Sequence, residues 1–167
     1  SEDALTGLFN RRSFDEKILS EIAGCIARGA PISVLIVDVD YFKKYNDNYG
    51  HPEGDRCLVL MGDTLRKSLT RDNQIVARYG GEEFALILPD ADIQEARRIA
   101  QTIIRNVFSL QIEHAFSPFG RVTVSVGVST ARAVEIAGSQ QSIIIAADQA
   151  LYQAKRAGRN QYAFVGV

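Results

Sequence analysis

The chain has 167 residues, a length typical of one folded domain, which buries roughly two thirds of the surface that its unfolded chain exposes. Its 19 basic and 20 acidic residues leave a formal net charge of -1, which excludes general electrostatic attraction to nucleic acid or to an anionic membrane. Cys25 and Cys57 lack a short metal-ligand spacing, which indicates a reduced, cytoplasmic protein rather than a disulfide framework. No apolar run could span a bilayer, so we expect this segment to make no direct membrane contact.

The first part of the chain alternates helical and strand patterns. Apolar residues at helical spacing predict a helix over 14–25. The nearly continuous apolar run 32–37 predicts a central strand covered on both faces. A second helical stretch follows, then residues 46–55 with the Asn, Asp, Gly and Pro content of a loop, and then a helix over 58–69.

Two short apolar segments, 75–77 and 84–88, flank a double-glycine turn. Glycine adopts the positive φ values that tight hairpin turns require, so we predict a β-hairpin. The turn also carries Glu82 and Glu83, and two adjacent carboxylates in a fixed turn suit a metal site. Charges at a hairpin tip also prevent edge pairing, and the hairpin alone leaves this alternative open.

The last part of the chain continues the alternation. Apolar residues predict a helix over 93–107 and another over 144–154. Residues 122–129 alternate between valine and small residues, as in a strand with one apolar face, and we expect 111–113 to supply its partner strand. A short apolar tail follows over 162–165.

This order of elements favours an α+β fold, with helices packed on a largely antiparallel central sheet. A doubly wound parallel sheet fits less well, because short connections join the hairpin strands and the predicted final pair. No repeat or linker interrupts the series, so we expect one domain over 1–167. The apolar helical stripes are expected to form core rather than binding surface.

Asp38 lies where the buried strand ends. A carboxylate there is costly unless it is paired or metal-bound, and a helix N-cap is the competing explanation. We assign the N-cap to Asp40, which precedes the next helical stretch, and the metal to Asp38. If the hairpin pairs beside this strand, Asp38, Glu82 and Glu83 converge into an all-oxygen site that suits Mg²⁺.

Five motifs extend from near the first residue to near the last, at 3–12, 38–43, 46–55, 80–84 and 154–160. The fourth is Gly80-Gly81-Glu82-Glu83-Phe84, a GG(D/E)EF signature. Together they resemble the GGDEF diguanylate cyclase family. The resemblance implies a palm-like fold, of the ferredoxin-like or nucleotidyl cyclase-like kind, with the active site on the hairpin. It also implies that the chain is a single GGDEF domain from a longer protein with an N-terminal sensory or dimerisation region.

The resemblance implies a reaction in which two facing domains each bind one GTP. Each 3′-hydroxyl attacks the other α-phosphate, which gives cyclic di-GMP and two pyrophosphates. The implied cofactor is Mg²⁺, two ions per active site, with Mn²⁺ as an alternative. The implied partners are GTP and a second copy of the chain, with no nucleic acid, in the cytoplasm. The parent protein could still be anchored to a membrane through an upstream region.

Matching positions imply a role for each residue of the metal site. Asp38, the backbone carbonyl of Val39 and Glu82 would bind Mg²⁺, with Glu83 as an additional ligand. Glu82 and Glu83 are also implied in catalysis, and Glu82 is the better candidate to help deprotonate the 3′-hydroxyl, a role hard to separate from metal binding. Lys43 would stabilise charge at the phosphates in the transition state.

Asn46 and Asp55 match the guanine-binding pair of the family, with His51 in the same segment. Guanine presents two adjacent donors that one carboxylate accepts, whereas adenine presents an acceptor, so Asp55 would exclude ATP. Taken alone, Asp55 is equally well explained as a helix N-cap and His51 as a structural residue.

The remaining implied contacts are to phosphate. Backbone N–H groups of Tyr41 and Phe42, at a helix N-terminus, would join Lys43. Lys155 and Arg159 would hold the β- and γ-phosphates, from one side of a helix if it extends that far. Basic residues near a helix C-terminus are also ordinary complements of the helix dipole.

One position departs from the family pattern. Many members carry an Arg-x-x-Asp product-inhibition site nine residues before the signature, and here that frame holds Arg71 and Gln74. The missing aspartate argues against high-affinity feedback by cyclic di-GMP. Two alternatives to an active cyclase stay open: a catalytically weak module that binds GTP or cyclic di-GMP, and a cyclase that makes a mononucleotide product.

Overall fold

The computed structural model describes all 167 residues and contains one five-stranded sheet. The strands are β1 (Pro31–Val39), β2 (Ile75–Arg78), β3 (Glu83–Pro89), β4 (Val124–Arg132) and β5 (Tyr162–Phe164), in the spatial order β2-β3-β1-β4-β5. All neighbouring strands are antiparallel except β5, which lies parallel to β4. The predicted α+β fold with a largely antiparallel sheet is therefore confirmed.

Helices cover both faces of the sheet. They are α1 (Arg11–Arg28), α2 (Phe42–Tyr49), α3 (His51–Ser68), α4 (Ile93–Ser109) and α5 (Gln141–Arg156), with a short 3₁₀ helix at Ala133–Ile136. Leu35 and Val37 of β1 join the core under α3 and α4, while Val34 and Ile36 join the core under α1 and α5. The prediction of a central strand covered on both faces is thus confirmed. None of the helices combines the length and apolar character needed to cross a bilayer.

The close approach of α5 to β4 depends on one glycine. A Cβ atom at Gly127 would overlap the backbone of Ala147 and Leu151, so a larger residue would push the helix off the sheet. Because α5 lies this close, its last turn places Lys155 beside the end of β1.

A turn does separate two helices within 46–55, but the prediction that this whole segment is a loop is wrong. Helix α2 continues to Tyr49, α3 begins at His51, and only Gly50 separates them, with φ 91°. One residue with positive φ is enough to break a helix, and Pro52 is tolerated in the first turn, where its missing N–H has no helical partner. Composition alone therefore overestimated the length of the connection.

The prediction that 111–113 pairs with β4 as a strand is also wrong. Residues 110–123 are irregular, with one isolated bridge between Glu113 and Arg121. The neighbours of β4 are β1 and β5, and β5 is formed by the apolar tail. Both edges of β4 are thereby occupied, one through nine paired positions with β1 and the other through three with β5.

Candidate active site

The end of β1 and the start of β3 form one edge of the sheet. Asp38 is paired in register with Glu83, and the Val39 N–H donates to the Glu82 carbonyl oxygen at 3.3 Å. The hairpin therefore lies beside the central strand, which was the arrangement required for the predicted metal site. Asp38, Glu82 and Glu83 consequently lie at the same edge.

The charges at this edge are incompletely compensated. Asp38 is buried, and its Oδ2 atom lies 3.1 Å from Nζ of Lys155. Burial raises the pKa of Asp38 to about 6, Lys155 opposes that increase, and Glu82 and Glu83 add to it. Burial also raises the pKa of Glu83, with repulsion from Asp148 as the next cause. A cation bound here would relieve this accumulation of negative charge.

The protein side chains alone do not complete a metal-binding cluster of three or more acidic, His or Cys groups. The donors present are carboxylate and carbonyl oxygens, which suit Mg²⁺. This ion commonly takes one or two carboxylates and completes its octahedron with water and substrate phosphates. The residues therefore fit an ion that arrives with a nucleotide.

Two residues to which the sequence assigned no role hold the hairpin turn. The Arg78 guanidinium donates to the Gly81 carbonyl oxygen at 2.9 and 3.1 Å and pairs with Asp3 at 3.2 Å. Asp3 also accepts hydrogen bonds from Thr6, and these bonds with Arg78 lower its pKa although burial alone would raise it. Asp3 lies in the motif 3–12 and Arg78 lies two residues before the motif 80–84. That proximity was the only sequence feature that could have indicated their role.

A cavity of about 430 Å³ opens between α2, α3 and the hairpin. Its lining consists of Phe42, Lys43, Asn46, Asp47, His51, Asp55, Leu58, Arg78, Gly81 and Glu82. The structure thus brings the predicted guanine residues to the same space as Glu82. Lys43 lies at the rim, 89% exposed, with its Nζ atom 3.1 Å from Asp47. A second cavity of about 440 Å³, between α1 and α5, includes none of the predicted site residues.

The three predicted guanine residues differ in their surroundings. Asn46 is on α2, and its Oδ1 atom is buried without a hydrogen-bond partner. His51 and Asp55 are both exposed on α3. Because α3 begins at His51, directly after Gly50, Asp55 lies inside the helix and the alternative that it is an N-cap is wrong.

The assignment of Asp40 as the N-cap of α2 is wrong. Tyr41 precedes the helix in the left-handed conformation, φ 55°, and no side chain caps it. The Asp40 carboxylate turns inward and accepts hydrogen bonds from Thr123 Oγ1 at 2.8 Å, Ser125 Oγ at 2.6 Å and the Asn160 N–H at 3.1 Å. A buried carboxylate gains more from three donors than from a single exposed cap bond. Asp40 therefore ties the end of β1 to β4 and to the segment after α5.

The expectation that Lys155 and Arg159 share a helical face is wrong. Helix α5 ends at Arg156, and Arg159 has φ 66°. The chain turn nevertheless returns Arg159 to the same region, where its guanidinium lies 4.7 Å from the centre of the Tyr41 ring. Lys155 at Asp38 and Arg159 at Tyr41 therefore reach neighbouring parts of the edge from different backbone conformations.

The side chains of Arg71 and Gln74 both bond to other groups of the protein. Arg71 pairs with Glu95 at 3.0 Å. Gln74 is buried, and its Oε1 atom accepts from the backbone N–H groups of Thr70 at 2.7 Å and Arg71 at 3.2 Å. The Gln74 side chain is thus engaged by its own turn, whereas the paired Arg71 side chain stays half exposed.

The family model for the diguanylate cyclase GGDEF domain matches residues 1–161 of this chain. The chain belongs to the GGDEF family. Diguanylate cyclase VdcA of Vibrio cholerae is 40% identical to it over 162 residues, which cover 95% of this chain and 45% of VdcA. Response regulator PleD of Caulobacter vibrioides is 41% identical over 166 residues, which cover 95% of this chain and 34% of PleD.

Solved structures agree with this assignment. The GGDEF domain of DgcB from Caulobacter crescentus, solved in complex with c-di-GMP, matches with a TM-score of 0.86 and 32% identity, covering 99% of this chain and 94% of that one. The nucleotidyl cyclase-like fold expected of the family is thereby confirmed. This GGDEF domain spans less than half the length of the curated relatives VdcA and PleD.

Proposed function

We propose that this GGDEF domain is an active diguanylate cyclase that condenses two GTP molecules into cyclic di-GMP across a homodimer. The proposal rests on one observation, the closeness of the acidic sheet edge to the cavity between α2, α3 and the hairpin. Asp38, Glu82 and Glu83 meet at one edge of the sheet, and Glu82 also lines the cavity that contains Asn46 and Asp55. Groups suited to metal and phosphate therefore adjoin groups suited to guanine.

Bound Mg²⁺ or Mn²⁺, two ions per site, would stabilise negative charge on the attacking 3′-oxygen and on the oxygens of the leaving pyrophosphate. Asp38, the Val39 carbonyl and Glu82 would hold the metal, with Glu83 beside them. Asp38 is rigidly placed at a strand end, and the hydrogen bond from Val39 to the Glu82 backbone fixes the separation of β1 from the hairpin. Under this proposal the protein supplies part of the coordination shell, and water and substrate phosphates supply the rest.

The residues of the domain position the nucleotide for attack. Asp55 and Asn46 would bind guanine, with His51 beside them, while Lys43 and the backbone of Tyr41 and Phe42 would face the phosphates. Lys155 and Arg159, already at Asp38 and Tyr41, would bind the β- and γ-phosphates.

In each half-reaction a bond forms between the 3′-oxygen of one GTP and the α-phosphorus of the other. The α–β phosphoanhydride bond breaks, and pyrophosphate leaves with the electron pair of that bond. Glu82 is the group proposed to accept the proton of the attacking hydroxyl. Because each domain holds one GTP, two domains must face each other, and the rate depends on how often they do.

Product feedback is proposed to be weak in this domain. Gln74 is bonded to its own turn and stands where the family pattern has an aspartate, so a dinucleotide would find only Arg71, which already pairs with Glu95.

Product analysis across a protein dilution series tests the proposed function. With GTP and Mg²⁺ we expect cyclic di-GMP, at a rate per domain that increases with protein concentration, and no product with ATP. Glu82→Ala is the matched inactive control. The absence of any cyclic or linear dinucleotide at the highest concentration would overturn the proposal. Tight cyclic di-GMP binding without turnover would favour a regulatory binding module, and cyclic GMP as product would favour a mononucleotide cyclase.

A further inference from the structure

Gly54 lies within helix α3, four positions after Gly50. Glycine inside a helix is less favourable than alanine, since it gives up more conformational freedom and fills no space. Its usual justification, a positive φ, does not apply, because Gly54 is not among the residues with positive φ. The reason for a glycine here must be the space around it.

That space is occupied by the side chain of Asn46. A Cβ atom on residue 54 would overlap Oδ1 of Asn46, lie 2.9 Å from its Cγ atom and lie 3.4 Å from Cζ of Phe42. The carboxamide therefore rests directly on the bare backbone of α3. We call this notch, formed by Gly54 and filled by Asn46, the glycine seat.

The backbone of α2 cannot easily move away from α3, so a methyl group on residue 54 would have to displace the Asn46 side chain. Only Gly50 joins α2 to α3, which fixes how the two helices cross. Phe42 and Tyr45 of α2 are buried, as are Cys57 and Leu58 of α3. A packed core does not yield by the width of a methyl group without cost.

The amide oxygen in the seat has no partner. Asn46 Oδ1 is buried and accepts no hydrogen bond, although such groups are normally paired. Asn46 also lines the 430 Å³ cavity. Because this oxygen is turned into the glycine seat and the carboxamide makes no hydrogen bond to the protein, its NH₂ group is the part left for an acceptor on a ligand.

We propose that Gly54 is a positioning residue for base recognition: its missing side chain seats the Asn46 carboxamide at the orientation that binds guanine. The inference rests on the proposed function, in which Asn46 contacts the base. Gly54 itself touches neither substrate nor metal and acts only through Asn46.

Gly54→Ala is the direct test. The added methyl group should displace the carboxamide, so the KM for GTP should rise at least tenfold, with a smaller change in kcat at saturating GTP. Binding of GTP measured by calorimetry should weaken by the same factor. Gly24→Ala is the matched control, because a Cβ atom there meets only the flexible guanidinium of Arg28. This control should leave KM unchanged.

A double substitution separates seating from general packing. In the parent background Gly54→Ala should lower the urea midpoint of unfolding because the methyl group collides with Asn46. In an Asn46→Ala background the same substitution should raise the midpoint, because alanine favours the helix. The double variant should bind GTP no more weakly than Asn46→Ala alone. It also keeps the test decisive if Gly54→Ala by itself does not fold.

Unchanged GTP affinity in Gly54→Ala would overturn the inference, as would equal destabilisation in both backgrounds. GTP binding by the parent protein without turnover would overturn only the proposed cyclase activity and leave the glycine seat standing. A parent protein that binds no GTP would overturn both.

Discussion

Two regions of this GGDEF domain carry motif residues but treat their polar groups differently. At the sheet edge formed by β1 and the hairpin, burial raises the pKa of the Asp38 carboxyl group to about 6, and Lys155 opposes that increase only in part. In the turn 70–74, Gln74 bonds to the backbone and Arg71 pairs with Glu95. Charge left uncompensated in the folded protein lowers stability but favours a cationic ligand, whereas a satisfied turn gains stability and offers a ligand little.

Glu82→Gln should have the largest effect of the substitutions that test this comparison, and the effect should be on turnover. A neutral amide is a poor ligand for Mg²⁺ and cannot accept a proton, so turnover should fall by about 1000-fold or more. Folding stability should barely change, because the Glu82 side chain is partly exposed and enters none of the ion pairs. Initial rates of cyclic di-GMP formation and a urea titration measure both quantities.

Glu16→Gln is the matched control for that substitution, since Glu16 is an exposed glutamate on α1. It should retain parental turnover. Retention of turnover by Glu82→Gln would contradict the assignment of the metal site.

Asp38→Asn should stabilise the metal-free protein while it abolishes turnover. A pKa raised from 3.8 to about 6 means that ionising Asp38 opposes folding, by about 3 kcal/mol near pH 7. Removing the charge removes that cost, although it also removes the partner of Lys155. The free energy of unfolding in EDTA, measured by urea titration of parent and variant, checks the sign.

The same pair of proteins gives a pH dependence. Well below pH 3.8 the carboxyl group is protonated in both the folded and the unfolded state, so Asp38 contributes nothing. Between pH 4 and 6 the unfolded state loses the proton first, so the stability of the parent relative to Asp38→Asn should fall as pH rises. Above about pH 6 the difference should stay constant. A variant that is less stable than the parent at pH 7 would contradict this picture of the edge.

Gln74→Ala should have the smallest effect of the three substitutions. It should lower the free energy of unfolding, whereas Asp38→Asn should raise it. The backbone N–H groups of Thr70 and Arg71 would lose their acceptor, which should lower the free energy of unfolding by about 1–2 kcal/mol. Turnover and its response to added cyclic di-GMP should not change. Gln149→Ala, at an exposed position of α5, is the control for truncating a glutamine. Loss of turnover without loss of stability in Gln74→Ala would show that the turn acts on catalysis.

Much of the fold could be predicted because it depends on patterns within single segments. The apolar run of β1 and the helical stripe of α1 each determine their own element, and the structure confirms them. The predicted hairpin also forms, but the predicted reason is wrong, since neither Gly80 nor Gly81 has a positive φ. Asp38 could be singled out as well, because a carboxylate at the end of a buried strand is costly wherever the strand is placed.

Other features depended on partners distant along the chain. Asp40 resembled an N-cap until its donors on β4 and after α5 were in place. The brace from Arg78 to Asp3 joins residues 75 positions apart.

The sequence by itself determined the family, the order of elements and the carboxylates of the proposed metal site, since these follow from local pattern and motif register. Only the tertiary structure decided which charges are compensated, that Arg159 returns to Tyr41 after α5 has ended, and that Gly54 is bare because Asn46 occupies its space. Burial, ion pairing and close contact are properties of groups brought together by folding, so no single segment contains them.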